Sequence, residues 1–398
     1  MNLLKKIYYR ICQSMRCCVC FVPWKRPEKL DFSNGICDLP KYLVSKKKKN
    51  VFIVASKEFA EDGILVDLFK DLKKEQIEYS MYSECNDDLT EDMVNDAYSI
   101  YFNNDCDSII AIGGETVIDC AKGVGIRVVR PDKELKDMVG DMKVAHKIPY
   151  LIAVPCGGFG NETSPLMTYN DRKEKEKKIV FDISVVPNAV LLDSTLTEKL
   201  DKRTLNLAIL QAIAHDSETY LSNANTFLTK EMSLTSIETI FEQLPFYLEN
   251  SNDKIAIAYI QEGLYQSSLA YSGTFFGYAQ ALANSISGYY GISTSLATAV
   301  LIPHVLEFYI KKSTKKLSHL ADFAALLHDS EKVKARMYID EIISIREKFN
   351  IEDSLDINPK DIPLLVERAF QQAIKSYAAP KLMRRKDMKN ILLKITKK

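Results

Sequence analysis

The chain has 398 residues, 46% of them apolar and 10% aromatic, enough for one large or two smaller soluble domains with their own cores. Lys plus Arg and Asp plus Glu both total 53, so the formal net charge is zero and no global field draws nucleic acid or an acidic membrane. The nine cysteines are odd in number and absent from the whole rear half, which excludes a disulfide framework and points to a reducing cytoplasm.

Residues 1–30 read as a basic extension carrying Lys5, Lys6, Arg10, Arg16, Lys25, Arg26 and Lys29 beside apolar residues. Its apolar run CCVCFVPW, broken by Pro23, is far short of the ~20 residues a membrane span needs, and no small-residue cleavage site follows it. The reading is an amphipathic helix docked on the protein itself, with a membrane or partner contact as the alternative. Cys17 and Cys20 have CxxC spacing, but no second pair follows at zinc-site distance, so they read as buried or idle thiols.

From Asn50 to about residue 195, apolar strand-like runs alternate with segments of helical period. VFIVAS, IEYSMYS, DSIIAIGG, IPYLIAVP and AVLLD are separated by ILVDLFKDLKKEQ, LTEDMVNDAYSIYFNN and other helical stretches. That alternation predicts a parallel sheet with helices on both faces over residues 31–195. The charged stretch NDRKEKEKK at 170–178 reads as a solvated turn. After Leu196 the strand pattern stops and apolar residues recur at three- and four-residue spacing, with 256–286 as one long run, so 196–398 is expected to be all helical. Ser194 or Thr195 is the expected cap of the incoming helix.

Two turns carry candidate chemistry. SIIAIGGETVIDCAKGVGI at 108–126 is a strand running through Gly113 and Gly114 into a helix, the arrangement that lets a phosphate approach the backbone and the helix N-terminus. VPCGGFGNETS at 154–164 is a second glycine-rich turn after a strand, and two such turns at neighbouring strand ends suit a dinucleotide lying across them.

The run AIGGETVIDCAK resembles the G-G-G-S-x-x-D-x-x-K motif of the iron-containing (group III) alcohol dehydrogenases, and VPCGGFGNET resembles that family's P-T-T-x-G-T-G-S-E-x-T loop. VVPNAVLLDSTLT, GYAQALANSISGYYGISTSLATAVLIPHVLEFY and SYAAPKLMRRKDMKNIL are similar to its later motifs, so the resemblance runs in order from about residue 20 to the C-terminus. It implies a dehydroquinate synthase-like architecture, with an α/β dinucleotide-binding domain followed by an all-α domain. The activity implied is NAD(P)-dependent interconversion of a small alcohol and an aldehyde or ketone. Cofactor contacts then fall on Gly113, Gly114, Thr116, Asp119 and Lys122, and on Pro155, Cys156, Gly157 and Gly160.

The departures from the family pattern are informative. Glu115 replaces a glycine where a pyrophosphate would sit, and two anions within ~5 Å repel by roughly 3 kcal/mol at a dielectric of ~20. The 155–162 loop is one residue shorter than the motif, with Cys156, Gly157, Phe159 and Asn161 at hydroxyl or glycine positions. Ser56 and Lys57 stand where NAD-dependent members carry an Asp, which favours NADP(H) over NAD(H) unless Lys57 is simply a solvated loop residue. Carried over residue by residue, the metal-ligand positions read Gln211, His215, Gln280 and Thr294, with Asn284 in place of a nearby histidine. One imidazole among amides and a hydroxyl is a poor iron or zinc site, so no metal is expected. His215 is then the acid/base candidate, with Gln280 and Asn284 donating to the substrate oxygen; alternatively these side chains form a satisfied network in the core. The rival to an enzyme is an inactive binding or regulatory subunit, and the expected assembly is a homodimer or larger homo-oligomer, with an active paralogue as a further partner.

Overall fold

The computed structural model describes residues 3–21, 24–85, 88–158, 160–274 and 277–397. The chain divides into two compact units, one spanning Lys25–Leu200, the other gathering Asp201–Lys398 with the segment up to Trp24.

The first unit holds nine strands among the described residues: β1 Glu28–Leu30, β2 Asn50–Ala55, β3 Glu78–Tyr82, β4 Ser108–Gly113, β5 Gly140–Asp141, β6 Tyr150–Pro155, β7 Leu166–Asp171, β8 Glu176–Phe181 and β9 Ala189–Leu191. Six form an all-parallel sheet in the order β1-β9-β6-β4-β2-β3. The inner strands β2, β4 and β6 are buried along nearly their whole length, which is why they read as unbroken apolar runs rather than alternating ones. Val51, Ile53, Ile110, Ile112, Ile152 and Val154 feed one core on a single face of this sheet.

A second sheet, β5-β8-β7, was not expected. Within the stretch read as a solvated turn, only residues 172–175 turn; the flanks are the antiparallel pair β7–β8, in register from Leu166↔Phe181 to Asp171↔Glu176. The lysines and glutamates between 173 and 178 hid the strand because their charge masks the two-residue alternation.

The second unit is helical, with Lys202–Leu221, Phe227–Glu249, Lys254–Ser272, Tyr278–Tyr290 and Thr294–Phe323 as its long elements nearest the candidate site. The long run from 256 to 286 is two helices. It breaks at Gly273, where a Cβ would lie 2.6 Å from Thr229 Cγ2. The caps also differ from expectation: Asp193 caps the short Ser194–Thr197 helix and Asp201 caps Lys202–Leu221, each carboxylate accepting first-turn N–H groups. Ser194 and Thr195 fall one and two positions inside.

The sequence set residues 1–30 apart as an extension, and the structure splits them. Glu28–Leu30 is the edge strand β1, paired with β9. Leu3–Phe21 is a helix of the second unit, where Gln13 Nε2 donates to Ile374 O at 2.8 Å, Tyr9 meets Phe370 edge-on, and Arg16 bonds Ser376. The Cys17 and Cys20 side chains lie outside the described residues, as does Phe159. Among the described residues no helix is long and apolar enough to cross a membrane.

Candidate active site

In the α/β unit, β2 has β3 on one side and β4 on the other, so the chain reverses direction across the sheet at β2. Ligands of open parallel sheets bind beyond the C-terminal strand ends at such a point. The backbone ties three of those ends together: Ser56 N donates to Ile112 O and Cys156 N donates to Gly113 O, both at 3.1 Å. Ser56, Gly113, Gly114, Pro155 and Cys156 therefore sit together at three adjacent strand ends. Gly113, at φ +155°, has no room for a Cβ, which would lie 2.9 Å from Val117 Cγ2. Gly157 and Gly160 also have positive φ, at +101° and +102°. Gly114 is the N-cap of Glu115–Val129, so the free N–H groups of that helix open beside this loop.

Glu115 occupies the first turn, and its Oε1 lies 3.9 Å from Lys177 Nζ on β8. Together with Thr116, Asp119, Thr168 and Asn170 they line one small crevice. The carboxylate that the sequence places against a pyrophosphate thus has a cation beside it, supplied by a strand the sequence did not reveal. Lys57 also has company, at 3.8 Å from Glu61 and 3.7 Å from Glu84, all three largely exposed. Ser56 Oγ is buried without a hydrogen-bond partner at the end of β2.

Asp119 and Lys122 lie on the buried side of the Glu115–Val129 helix. Lys122 Nζ donates to Asn161 O (2.6 Å), Ser164 O (2.9 Å) and Leu166 O (2.6 Å), while Asp119 Oδ2 accepts from Thr168 N (2.9 Å) and Thr168 Oγ1 (2.8 Å). Burial pushes the Asp119 carboxyl up to about 7 and the Lys122 ammonium down to about 8, each opposed by the other's charge. Lys122 fastens the second glycine-rich loop to the helix and Asp119 fastens β7 to it, so the two shape the site from behind.

In the helical unit His215 is buried, its ring stacked on Tyr271 at 3.9 Å between centroids. His215 Nε2 and Gln280 Oε1 are 3.0 Å apart; an amide oxygen only accepts, so Nε2 carries the proton. Gln280 Nε2 donates to Asn284 Oδ1 and Asn284 Nδ2 donates to Gln372 Oε1, both at 3.1 Å, and Thr298 Oγ1 donates to Gln280 Oε1 at 3.4 Å. Burial drives the imidazole down to about 4, with the Gln280 bond pulling it partly back, so the ring is neutral at physiological pH. The amide N–H groups expected to serve a substrate oxygen thus donate to amide oxygens, that of Gln280 to Asn284 and that of Asn284 to Gln372. Thr294 donates to Ser287 at 3.3 Å, and Gln211 Oε1 is buried with no partner.

Residues 27–194 match the model for iron-containing alcohol dehydrogenases, and residues 207–396 match that of the family's C-terminal region. The chain belongs to the iron-containing alcohol dehydrogenase family. Among its relatives, the NAD-dependent methanol dehydrogenase of Bacillus methanolicus is 23% identical over 81% of this chain and 86% of its own. The NADPH-dependent butanol dehydrogenase of Clostridium saccharobutylicum is 22% identical over 92% and 95%. Among solved structures, an alcohol dehydrogenase from Oenococcus oeni superposes with a TM-score of 0.87 at 21% identity, over 94% of this chain and all of that one (100%).

Family membership raises the question of iron, and the donor set answers on chemical grounds. One imidazole, whose Nε2 proton faces Gln280, two neutral amides and a hydroxyl supply no negative charge for a divalent ion. The carboxylates of the His215 helix are turned elsewhere: Asp216 accepts from Ser236 at 2.6 Å, and Glu218 accepts the N–H groups of Tyr278 and Ala279. These residues do not fit a divalent metal. Sequence reading missed Tyr271, Gln372, Thr298, Glu218 and Lys177. Glu218 carries the one sequence signal among them, lying three residues after His215 and so on nearly the same helix face.

Proposed function

We propose that this chain is an NAD(P)-dependent oxidoreductase that interconverts a small alcohol and its aldehyde or ketone by hydride transfer, without a metal. The observation that carries this reading is the juxtaposition of three loops at the ends of β2, β4 and β6 beside a helix N-terminus, in a chain of this family. Relatives named as NAD-dependent and NADPH-dependent dehydrogenases lend it support. Gly113, Gly114, Thr116, Pro155, Cys156, Gly157 and Gly160 are assigned to the dinucleotide, with Lys122 acting through the loop it fastens and Asp119 through β7. NADP(H) is preferred over NAD(H) because β2 is followed by Ser56 rather than a carboxylate; Glu61 and Glu84 beside Lys57 narrow that preference.

In reduction, hydride from the reduced nicotinamide adds to the carbonyl carbon and the oxygen takes a proton. Neutral His215 has a single N–H, on Nε2 and facing Gln280 Oε1, so His215 is assigned to give that proton to the substrate oxygen once the oxygen replaces Gln280 Oε1 as its acceptor, with Gln280 and Asn284 then donating to the oxygen. Forgoing a Lewis acid worth several kcal/mol leaves turnover slower by ~10³-fold, since each ~1.4 kcal/mol is tenfold. Titration with NADPH and NADH, followed by thermal unfolding and by oxidation of the cofactor with small aldehydes in the presence of chelator, tests the reading. No stabilisation by either dinucleotide would remove it, and stoichiometric iron or zinc in the purified protein would overturn the metal-free part.

One observation favours a second reading, an inactive binding or regulatory subunit: the Nε2 proton of His215 is already held by Gln280 in a buried network. Dinucleotide binding without turnover of any alcohol or aldehyde would select it. In either case we assign the chain to the cytoplasm, on the free thiols of Cys12, Cys18, Cys37, Cys85, Cys106, Cys120 and Cys156, and to a homo-oligomer or a complex with an active paralogue.

A further inference from the structure

The Leu3–Phe21 helix lies ahead of residue 27, where the family match begins, so neither the fold family nor the catalytic reading accounts for it. It is bound to its unit through Tyr9, Gln13 and Arg16. The opposite face is apolar and open: Leu3, Leu4, Ile7, Tyr8, Ile11 and Met15 are between 48% and 76% exposed. At ~100° per residue these six positions share one arc of roughly 140°, centred almost opposite Gln13. A helix that only stabilised its own domain would bury its apolar face and leave its polar residues to water. This one does the reverse, with Gln13 buried and the leucines and isoleucines outside.

The charge around that face has one sign. Residues 1–27 contain Lys5, Lys6, Arg10, Arg16, Lys25 and Arg26 and no Asp or Glu. The body of the helical unit continues the pattern. Lys6 and Arg10 share a groove of about 380 Å³ with Lys381 and Arg384, whose single carboxylate, Asp387, is paired with Arg384. Lys375 Nζ lies 5.8 Å from the Tyr8 ring. An apolar arc edged by cations fits an anionic lipid surface, into which side chains of this size sink to the acyl boundary while Lys and Arg reach the headgroups. A second copy of the same face would set cation against cation.

We propose that the Leu3–Phe21 helix docks this protein onto an anionic bilayer surface, lying in the interface without spanning it. The test uses the full chain and co-sedimentation with phosphatidylcholine vesicles, with or without about 30 mol% phosphatidylserine. Binding is expected to the anionic vesicles only, to weaken about tenfold when salt is raised from about 0.1 M to about 0.5 M, and to fall about tenfold or more in Ile7→Asp/Ile11→Asp. Both substituted positions are exposed, so the variant should keep the wild-type melting temperature, and Lys6→Glu/Lys381→Glu should lose binding without touching the apolar arc. Absence of sedimentation with anionic vesicles overturns the proposal, as does undiminished binding by the isoleucine variant. A dimer that dissociates in Ile7→Asp/Ile11→Asp, with no vesicle binding by either protein, would also overturn it and assign the face to a second copy.

Discussion

Glu218 accepts the backbone N–H of Tyr278 at 2.8 Å across a sequence separation of 60 residues. Ala279 donates to both carboxylate oxygens, at 3.3 and 3.2 Å, so one buried side chain holds the N-terminus of the helix that carries Gln280 and Asn284. The fit is tight: a Cβ on Gly277 would lie 1.9 Å from Glu218 Cδ. Glu218→Ala leaves those N–H groups without partners, and we expect a loss of about 2–3 kcal/mol in urea unfolding. Gly277→Ala should destabilise comparably, because backbone and carboxylate cannot both stay in place.

The same carboxylate gives a signed pH dependence. Burial raises its folded-state value to about 8 from an ordinary 4.5, so the folded state holds a proton that the unfolded chain releases. This contribution is complete below pH 4.5 and is lost as the pH rises through about 8, with a slope of at most about 1.4 kcal/mol per pH unit. His215 works in the opposite direction: its folded value near 4 makes its contribution full above 6.5 and lost as the pH falls toward 4. The two oppose one another between 4.5 and 6.5, leaving 6.5 to 8 as the window for Glu218. Across that window wild type should lose stability relative to Glu218→Gln as the pH rises, because the amide has no proton to release.

Lys122→Met strands the buried Asp119 carboxyl and frees three carbonyls of the loop that includes Asn161 and Ser164. Destabilisation of about 3 kcal/mol or more is expected from leaving three buried carbonyls unpaired and removing the cation whose charge opposes the desolvation of Asp119. In Lys122→Met/Asp119→Asn the loss should be smaller than the sum of the single losses, which a double-mutant cycle by denaturant titration measures.

Glu115 and Lys177 set the anion tolerance of the first loop. Replacing Glu115 with Ser should tighten NADPH binding by less than tenfold, because Lys177 already offsets part of the carboxylate's charge. Lys177→Ala alone should weaken binding, and the double variant should bind more tightly than Lys177→Ala; isothermal titration at fixed ionic strength provides the comparison.

Gln280→Leu removes the acceptor facing His215 Nε2 and the bond that holds the imidazole value up. The ring should then titrate still lower, visible in its proton and carbon resonances. Asn284→Ala, one turn farther from the ring, should change that titration less.

The parallel sheet was legible in the sequence because β2, β4 and β6 are buried on both faces and therefore read as continuous apolar runs. β7 and β8 were not, since a half-covered hairpin rich in Lys and Glu imitates a loop. The glycine turns at 113 and 157 could be read because positive φ and close backbone approach leave few alternatives to glycine. Gln211, His215, Gln280 and Thr294 could be named as the positions the family resemblance implies for metal ligands, because that needs only the order of the motifs along the chain.

The sequence by itself determined which chemical groups exist and on which helix faces they recur, since those follow from residue type and a period of 3.6 or 2. Only the tertiary structure decided what each group meets. It turned Glu115 toward Lys177, put Glu218 under the Tyr278 helix, linked Gln280 to His215 but Thr294 to Ser287, and left the apolar arc of the Leu3–Phe21 helix uncovered. Partners separated by dozens of residues are chosen by packing, and packing depends on the volume and direction of every neighbouring side chain, which no local pattern encodes.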